Sequence, residues 1–109
     1  DDRLMELFWK PMLTPEGRKG FLHFADCLNN KNLTDISEKL HSIKLPMLII
    51  RGNSDLYLSS EISQKLHKNI PTSKLIIVPK AGHFIQLDEP ALISNLLTEF
   101  FNANKNDKP

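Results

Sequence analysis

The apolar positions between residues 45 and 83 predict a strand–helix–strand unit. Two short, mainly apolar runs, Pro46–Arg51 and Lys74–Pro79, predict strands that are buried on both faces. The segment Ser60–Asn69 between them predicts a helix, because its apolar residues recur at every fourth position: Ile62, Leu66 and Ile70. Two strands joined by a helical crossover should be parallel and adjacent, so their carboxyl ends lie at one edge of the sheet.

Four further helices are predicted around this unit. Asp1–Lys10 begins with acidic residues, is rich in apolar ones and stops at Pro11. A second helix begins at Thr14-Pro15-Glu16, with an N-cap, a proline at the first position and an acid in the first turn, and continues to Asn29-Asn30. The others are predicted at about Thr34–Ser42 and from Asp88-Glu89-Pro90 onward, where Asp88 and Glu89 are expected to cap the helix.

The predicted sheet is too small for these helices. Two parallel strands have two open edges and cannot cover the apolar faces of the helices. We therefore expect an incomplete sheet, whose missing strands come from an upstream N-terminal part of the protein, whether covalently attached, cleaved or supplied by another chain. The chain begins at Asp1 without a methionine, so the true N-terminus, with any targeting information, is expected to lie upstream. A self-contained small α/β binding domain is the competing interpretation, and it predicts cooperative unfolding of the chain by itself.

Composition narrows the functional classes. The 109 residues are 40% hydrophobic and 25% charged with a net charge of +1, as in an ordinary soluble domain, so we expect no nucleic-acid and no membrane partner. A single cysteine, Cys27, excludes an internal disulfide and gives no zinc-ligand spacing. No apolar run approaches the roughly 20 residues that cross a bilayer. We expect a cytoplasmic protein without a metal site.

An acid and a histidine follow the two predicted strands. Asp55 lies four residues beyond Arg51, and His83 lies five beyond Val78. Similar overhangs from neighbouring strands, roughly 4.8 Å apart, can bring the two side chains together at the edge where open α/β sheets bind ligands. Taken singly, Asp55 could instead be a loop residue that caps the helix beginning near Ser59-Ser60, and His83 a histidine satisfied within the core.

Two short motifs resemble those of a known family. Gly52-Asn53-Ser54-Asp55 follows the first strand and Ala81-Gly82-His83-Phe84 follows the second. With these motifs the chain resembles the C-terminal part of an α/β-hydrolase-fold enzyme, and residues 82–90 are similar to the branch of haloalkane dehalogenases, epoxide hydrolases and related esterases. Residues 12–18 resemble the segment by which the helical cap of such enzymes returns to the sheet.

The resemblance implies a division of the chain. Residues 1–30 correspond to the end of the helical cap and the return helix. Residues 31–101 correspond to the C-terminal strand–helix–strand–helix part of the α/β core, with the last two parallel strands of the sheet. Residues 102–109 are expected to be a flexible tail.

The resemblance also implies catalytic roles. Asp55 would be the catalytic acid and His83 the base of a hydrolase that cleaves an ester, epoxide or carbon–halogen bond through a covalent intermediate. The resemblance further implies a small-molecule substrate and no cofactor. Phe84 and Trp9 are the residues expected to contact the substrate. The competing interpretation is a non-catalytic remnant or binding protein that has kept the fold.

The nucleophile of such an enzyme is not found in this chain. The family places a serine or an aspartate in a G-x-S-x-G or G-x-D-x-G turn upstream of the acid, and no pair among the four glycines has that spacing. Ser54 is the available substitute, but Leu56 follows where that turn needs a small residue. We therefore expect the nucleophile upstream of Asp1 and expect the isolated chain to be inactive.

Overall fold

The computed structural model describes residues 2–28 and 30–105, which fall into two compact units, Asp1–Asp35 and Ile36–Pro109. The division after residue 35 lies close to the division after residue 30 that the sequence predicts. None of the described helices is long and apolar enough to cross a membrane.

The first unit contains two α-helices joined by a tight turn. Helix α1 is Asp2–Trp9, a 3₁₀ turn follows at Lys10–Leu13, and helix α2 is Pro15–Cys27. The predicted N-cap is present, since Thr14 Oγ1 accepts the backbone N–H of Gly17 at 3.0 Å. The predicted start of α2 is therefore confirmed, whereas Asn29, in its predicted stop, lies outside the described residues.

The third predicted helix differs from the prediction. The chain forms a 3₁₀ helix, Asn30–Ser42, instead of an α-helix from Thr34. Apolar intervals of three and four residues fit three residues per turn nearly as well as 3.6, so the pattern did not separate the two helix types.

The second unit is built on the predicted parallel pair. Strand β1, Met47–Gly52, pairs with β2, Ser73–Val78, in a register from Met47 opposite Ser73 to Gly52 opposite Val78. Helix α3, Ser60–Asn69, connects them over the predicted range. Its N-cap is Ser59, whose hydroxyl accepts the N–H of Glu61 at 3.2 Å.

The C-terminal part contains a short helix that the sequence did not predict. Helix α4 is Ile85–Asp88, and α5 follows as Pro90–Ala103, entering the predicted tail; residues 106–109 lie outside the described residues. The predicted capping of α5 is wrong, because the N-cap residue Glu89 makes no side-chain cap bond and Asp88 lies in α4.

The buried core of the second unit lies where β2 meets α5. Val78, Ala81 and Ile93 form it, and partly buried apolar side chains surround it: Ile50, Ile76, Ile85 and Leu96. Within the described residues the sheet has two strands, which agrees with the predicted incomplete sheet. The carboxyl ends of both strands, where the candidate residues follow, abut this core.

Candidate active site

The two loops that follow the strands bring Asp55 and His83 into contact. Nδ1 of His83 lies 3.0 Å from Oδ2 of Asp55, within hydrogen-bonding distance. The parallel register explains the meeting, because Gly52 and Val78 end the two strands side by side. The juxtaposition that the sequence predicted is therefore present, whereas the catalytic roles of the two residues stay a prediction.

The carboxylate of Asp55 is fixed at both of its oxygens. Oδ2 accepts from His83, while Oδ1 accepts the backbone N–H groups of Tyr57 and Leu58 at 2.8 and 3.0 Å. Asp55 thus organises its own loop as an Asx turn, and Ser59, not Asp55, caps α3. The competing interpretation of Asp55 as the cap of α3 is wrong.

The environment of Asp55 keeps its carboxyl group ionised. Burial raises the pKa of Asp55, since its side chain is 6% exposed. The opposite effect is larger: the pKa is lowered by the hydrogen bonds from His83, Leu58 and Tyr57 and by the charge of His83. The net result is a pKa of about 2, below the usual 3.8. An ionised carboxylate has no proton to donate, so Nδ1 of His83 carries the proton of this hydrogen bond. Its Nε2 is then left as an acceptor when the imidazole is neutral.

Backbone contacts hold the acid loop, residues 53–59, against the loop that carries His83, residues 79–84. The N–H groups of Asn53 and Ser54 donate to the carbonyls of Val78 and Ala81, each at 2.9 Å. Gly52 is buried between the loops: an added Cβ would lie 2.7 Å from the carbonyl carbon of Ala81 and closer to two carbonyl oxygens. A side chain at position 52 is therefore incompatible with this approach.

Arg51 holds the two ends of the acid loop. Its guanidinium group donates to the carbonyls of Gly52 and Leu58, both at 2.8 Å, and more distantly to that of Asp55 at 3.4 Å. Its Nε is buried without a hydrogen-bond partner. This role could not be predicted from the sequence, because an arginine that ends an apolar run gives no sign of which carbonyls it will reach.

Two aromatic rings flank the imidazole of His83. Phe84 lies edge-on with its ring centroid 5.1 Å away, and Tyr57 does so at 5.2 Å. Tyr57 is 80% exposed and Phe84 48% exposed, so both leave aromatic surface beside the acid–histidine pair. Phe84 is a residue that the sequence predicted, whereas Tyr57 was not predicted. The position of Tyr57, two residues after Asp55, was a usable signal.

Trp9 and Ser54 have less support from the geometry. Trp9 lies in the first unit and is 64% exposed, so its contact with substrate stays a prediction. Ser54 lies in the acid loop, and within the described residues no hydrogen bond joins its hydroxyl to His83.

A small, mostly apolar cavity adjoins the pair. It has a volume of about 210 Å³ and lies between β1, α3 and the acid loop, with Asp55 and His83 in its wall.

No group of three potential metal ligands occurs in the part of the chain that the structure describes. The arrangement can orient an imidazole and stabilise its positive charge, which are the functions of the acid in an acid–histidine–nucleophile system.

Comparison with known proteins identifies the fold family. The family model described as alpha/beta hydrolase fold matches residues 8–90. The chain belongs to the α/β-hydrolase-fold family. The predicted fold class is confirmed, while the particular branch of the family is not determined by this match.

Individual relatives of this α/β-hydrolase-fold chain are hydrolases or related enzymes. A 2-hydroxy-6-oxononadienedioate/2-hydroxy-6-oxononatrienedioate hydrolase of Burkholderia vietnamiensis is 28% identical, over 91% of this chain and 34% of its own length. The structure described as Est816, an N-acyl homoserine lactone degrading enzyme, is 37% identical with a TM-score of 0.57, over 60% of this chain and 25% of its own. MGS-MChE2, an alpha/beta hydrolase from the metagenome of lagoon sediments at Mar Chica, Morocco, is 26% identical with a TM-score of 0.60, over 64% and 32%.

The chain is short beside its relatives. It spans between 23% and 39% of the length of several curated relatives that it matches. The chain therefore corresponds to only part of each of these relatives.

Proposed function

We propose that this chain supplies the catalytic acid, Asp55, and the catalytic base, His83, of a hydrolase that cleaves an ester or related bond through a covalent intermediate. The observation that carries the proposal is the 3.0 Å hydrogen bond between a carboxylate that is 6% exposed and a histidine that is 34% exposed. The acid is sheltered from water, whereas part of the imidazole remains accessible to a nucleophile and a substrate.

The division of roles follows from the hydrogen bonds. Ionised Asp55 accepts the Nδ1 proton of His83, which fixes the tautomer and directs the Nε2 lone pair away from the carboxylate. His83 then takes a proton from a nucleophilic serine, or from the water that hydrolyses an ester formed on an aspartate. Asp55 stabilises the imidazolium that forms.

The nucleophile and the remaining strands belong to an upstream part of the same protein. Within the described residues β1 is paired along one edge, by β2, and its other edge is available to a further strand. The partial coverage of longer relatives supports the same arrangement. An upstream serine would favour an esterase, and an upstream aspartate would favour a dehalogenase or epoxide hydrolase.

The substrate is proposed to be a small molecule with an ester or lactone group. This choice is supported by the relative whose name describes lactone degradation, and by the aromatic surface of Tyr57 and Phe84 beside the imidazole. Trp9 is proposed as a further contact of the substrate from the first unit.

The test uses the protein in the longest form that its coding sequence specifies. Hydrolysis of p-nitrophenyl butyrate, a γ-lactone, an epoxide and a haloalkane is measured for the wild type, His83→Ala and Asp55→Asn. We expect kcat of both variants to fall by about 10³- to 10⁴-fold on the hydrolysed substrate. His41→Ala is the matched control and should retain wild-type activity, because His41 is exposed in the 3₁₀ helix outside the site.

Two outcomes would oppose the proposal. Retention of more than a tenth of wild-type kcat by His83→Ala would remove His83 from the chemistry. An inactive wild type whose coding sequence lacks an upstream nucleophile turn would favour the non-catalytic binding protein. The 109-residue chain alone should hydrolyse p-nitrophenyl butyrate no faster than its own His83→Ala variant.

A further inference from the structure

The loop that carries His83 is held on its second side by a carboxylate outside the acid–histidine pair. Oδ2 of Asp88 accepts the backbone N–H of Gly82 at 2.7 Å. Gly82 immediately precedes His83, so this bond acts on the backbone from which the imidazole projects. A charge-assisted bond of this length is among the stronger hydrogen bonds of proteins.

Helix α4 brings Asp88 to this position. The N–H groups of Leu87 and Asp88 both donate to the carbonyl of Phe84, at 2.8 and 3.2 Å, which folds the chain back on itself directly after His83. The carboxylate at the end of this turn therefore reaches the residue before the histidine. The bond closes a ring of backbone and side chain around His83, from Gly82 to Asp88.

The two sides of the loop are held by different partners. On the side of the acid loop, the carbonyls of Val78 and Ala81 accept from Asn53 and Ser54. These bonds fix the loop before Gly82. On the other side, Asp88 binds Gly82 itself, the residue next to His83.

A simple helix-capping role does not account for Asp88. The N-cap residue of α5 is Glu89, and its side chain makes no cap bond. The carboxylate of Asp88 therefore binds the backbone of the loop that carries His83. The side chain of the adjacent Glu89 makes no hydrogen bond that caps α5.

We propose that Asp88 is a positioning residue for His83, whose carboxylate fixes the Gly82 peptide and thereby sets the imidazole against Asp55. Its effect on catalysis rests on the proposed function of His83, whereas its effect on the His83–Asp55 geometry does not. Asp88 has no contact with the reacting atoms in this role.

The test compares three variants of the protein in the longest form that its coding sequence specifies. Asp88→Ala removes the acceptor. Asp88→Asn keeps a side-chain oxygen that can accept the same N–H but removes the charge. Glu89→Ala is the matched control, because it deletes the neighbouring carboxylate at the same helix junction. Far-ultraviolet circular dichroism and urea unfolding establish that each variant is folded under the assay conditions.

The first readout is spectroscopic and independent of activity. Long-range ¹H–¹⁵N NMR of His83 should show a protonated Nδ1 with a downfield proton in the wild type, in Glu89→Ala and in Asp88→Asn. In Asp88→Ala the downfield proton should be lost or averaged with that of water. An unchanged His83 spectrum in folded Asp88→Ala would overturn the proposal.

The second readout is kinetic. Asp88→Ala should lower kcat by about 10- to 100-fold with KM within twofold of the wild type, since a displaced catalytic group affects the chemical step. Asp88→Asn should recover at least half of that loss on a logarithmic scale. An equal loss in Glu89→Ala would contradict the positioning role. If His83→Ala is fully active while the NMR result holds, the proposed function fails and the positioning of His83 by Asp88 stands.

Discussion

Replacement of Gly52 by alanine should separate the two loops of the candidate site. The added Cβ would lie 2.7 Å from the carbonyl carbon of Ala81. Non-bonded carbon atoms prefer about 3.5 Å, so the loop before His83 has to recede by about 0.8 Å. If His83 moves with it, its 3.0 Å separation from Asp55 grows to about 3.8 Å, beyond hydrogen-bonding distance.

The expected cost has a thermodynamic and a kinetic part. Overpacking of this kind should lower the free energy of unfolding by about 1–3 kcal/mol, measured by urea denaturation. Loss of the hydrogen bond from His83 should also raise the pKa of Asp55 from about 2 towards 3.8. Hydrolysis, if the proposed function holds, should fall by up to about 100-fold.

A matched control is available in the same chain. An alanine Cβ at Gly20, an exposed position of α2, meets nothing within 4 Å. Gly20→Ala should therefore raise the free energy of unfolding by about 0.5–1 kcal/mol, since glycine is the poorer helix former. Two results together would refute this prediction: a free energy of unfolding of Gly52→Ala within about 0.5 kcal/mol of the wild type, and a retained downfield Nδ1 proton of His83.

Three further predictions concern the same unit. The pKa of Asp55 is lower in the folded chain than in the unfolded one, so its contribution to stability is present above about pH 4 and is lost as the pH falls towards 2. In Asp55→Asn the free energy of unfolding in urea should therefore depend less on pH across that interval. An unchanged pH dependence would contradict this assignment. Lys80 has a φ of 62°, in the left-handed region. Lys80→Gly should therefore raise the free energy of unfolding by up to about 1.5 kcal/mol, which is about 1–2 kcal/mol of relieved strain less about 0.5–1 kcal/mol of chain entropy. Lys80→Ala should give no gain. Arg51→Lys keeps the charge but cannot reach the carbonyls of Gly52 and Leu58 together. We expect its free energy of unfolding in urea to be about 2 kcal/mol lower than that of the wild type. Lys68→Met, at an exposed position, is the control and should be unaffected.

The parts of the fold that the sequence predicted well are those governed by one local pattern. The period of Ile62, Leu66 and Ile70 fixed the range of α3, and the cap and proline at Thr14-Pro15 fixed the start of α2. The meeting of Asp55 and His83 followed because parallel neighbouring strands end at one edge. The first two inferences needed information from a few adjacent residues, and the third combined two such segments through the rule for parallel strands joined by a helix.

The missed features depend on where loops travel in space. Asp88 was interpreted as a helix cap because acid before proline is a common helix start, but the unpredicted α4 turned it back towards Gly82. Arg51 and Tyr57 acquire their roles through carbonyls and a ring that approach after the loop has folded. A helix was predicted at about Thr34–Ser42, but the 3₁₀ type of the helix Asn30–Ser42 was not, because apolar spacing does not distinguish two similar helical periods.

The hydrogen bonds from Asn53 and Ser54 to the His83 loop have a consequence for how such proteins diversify. Because the two loops are fastened to each other, the alignment of Asp55 with His83 is set by residues of this chain alone. If the proposed roles hold, an exchange of serine for aspartate as the nucleophile leaves this alignment unchanged.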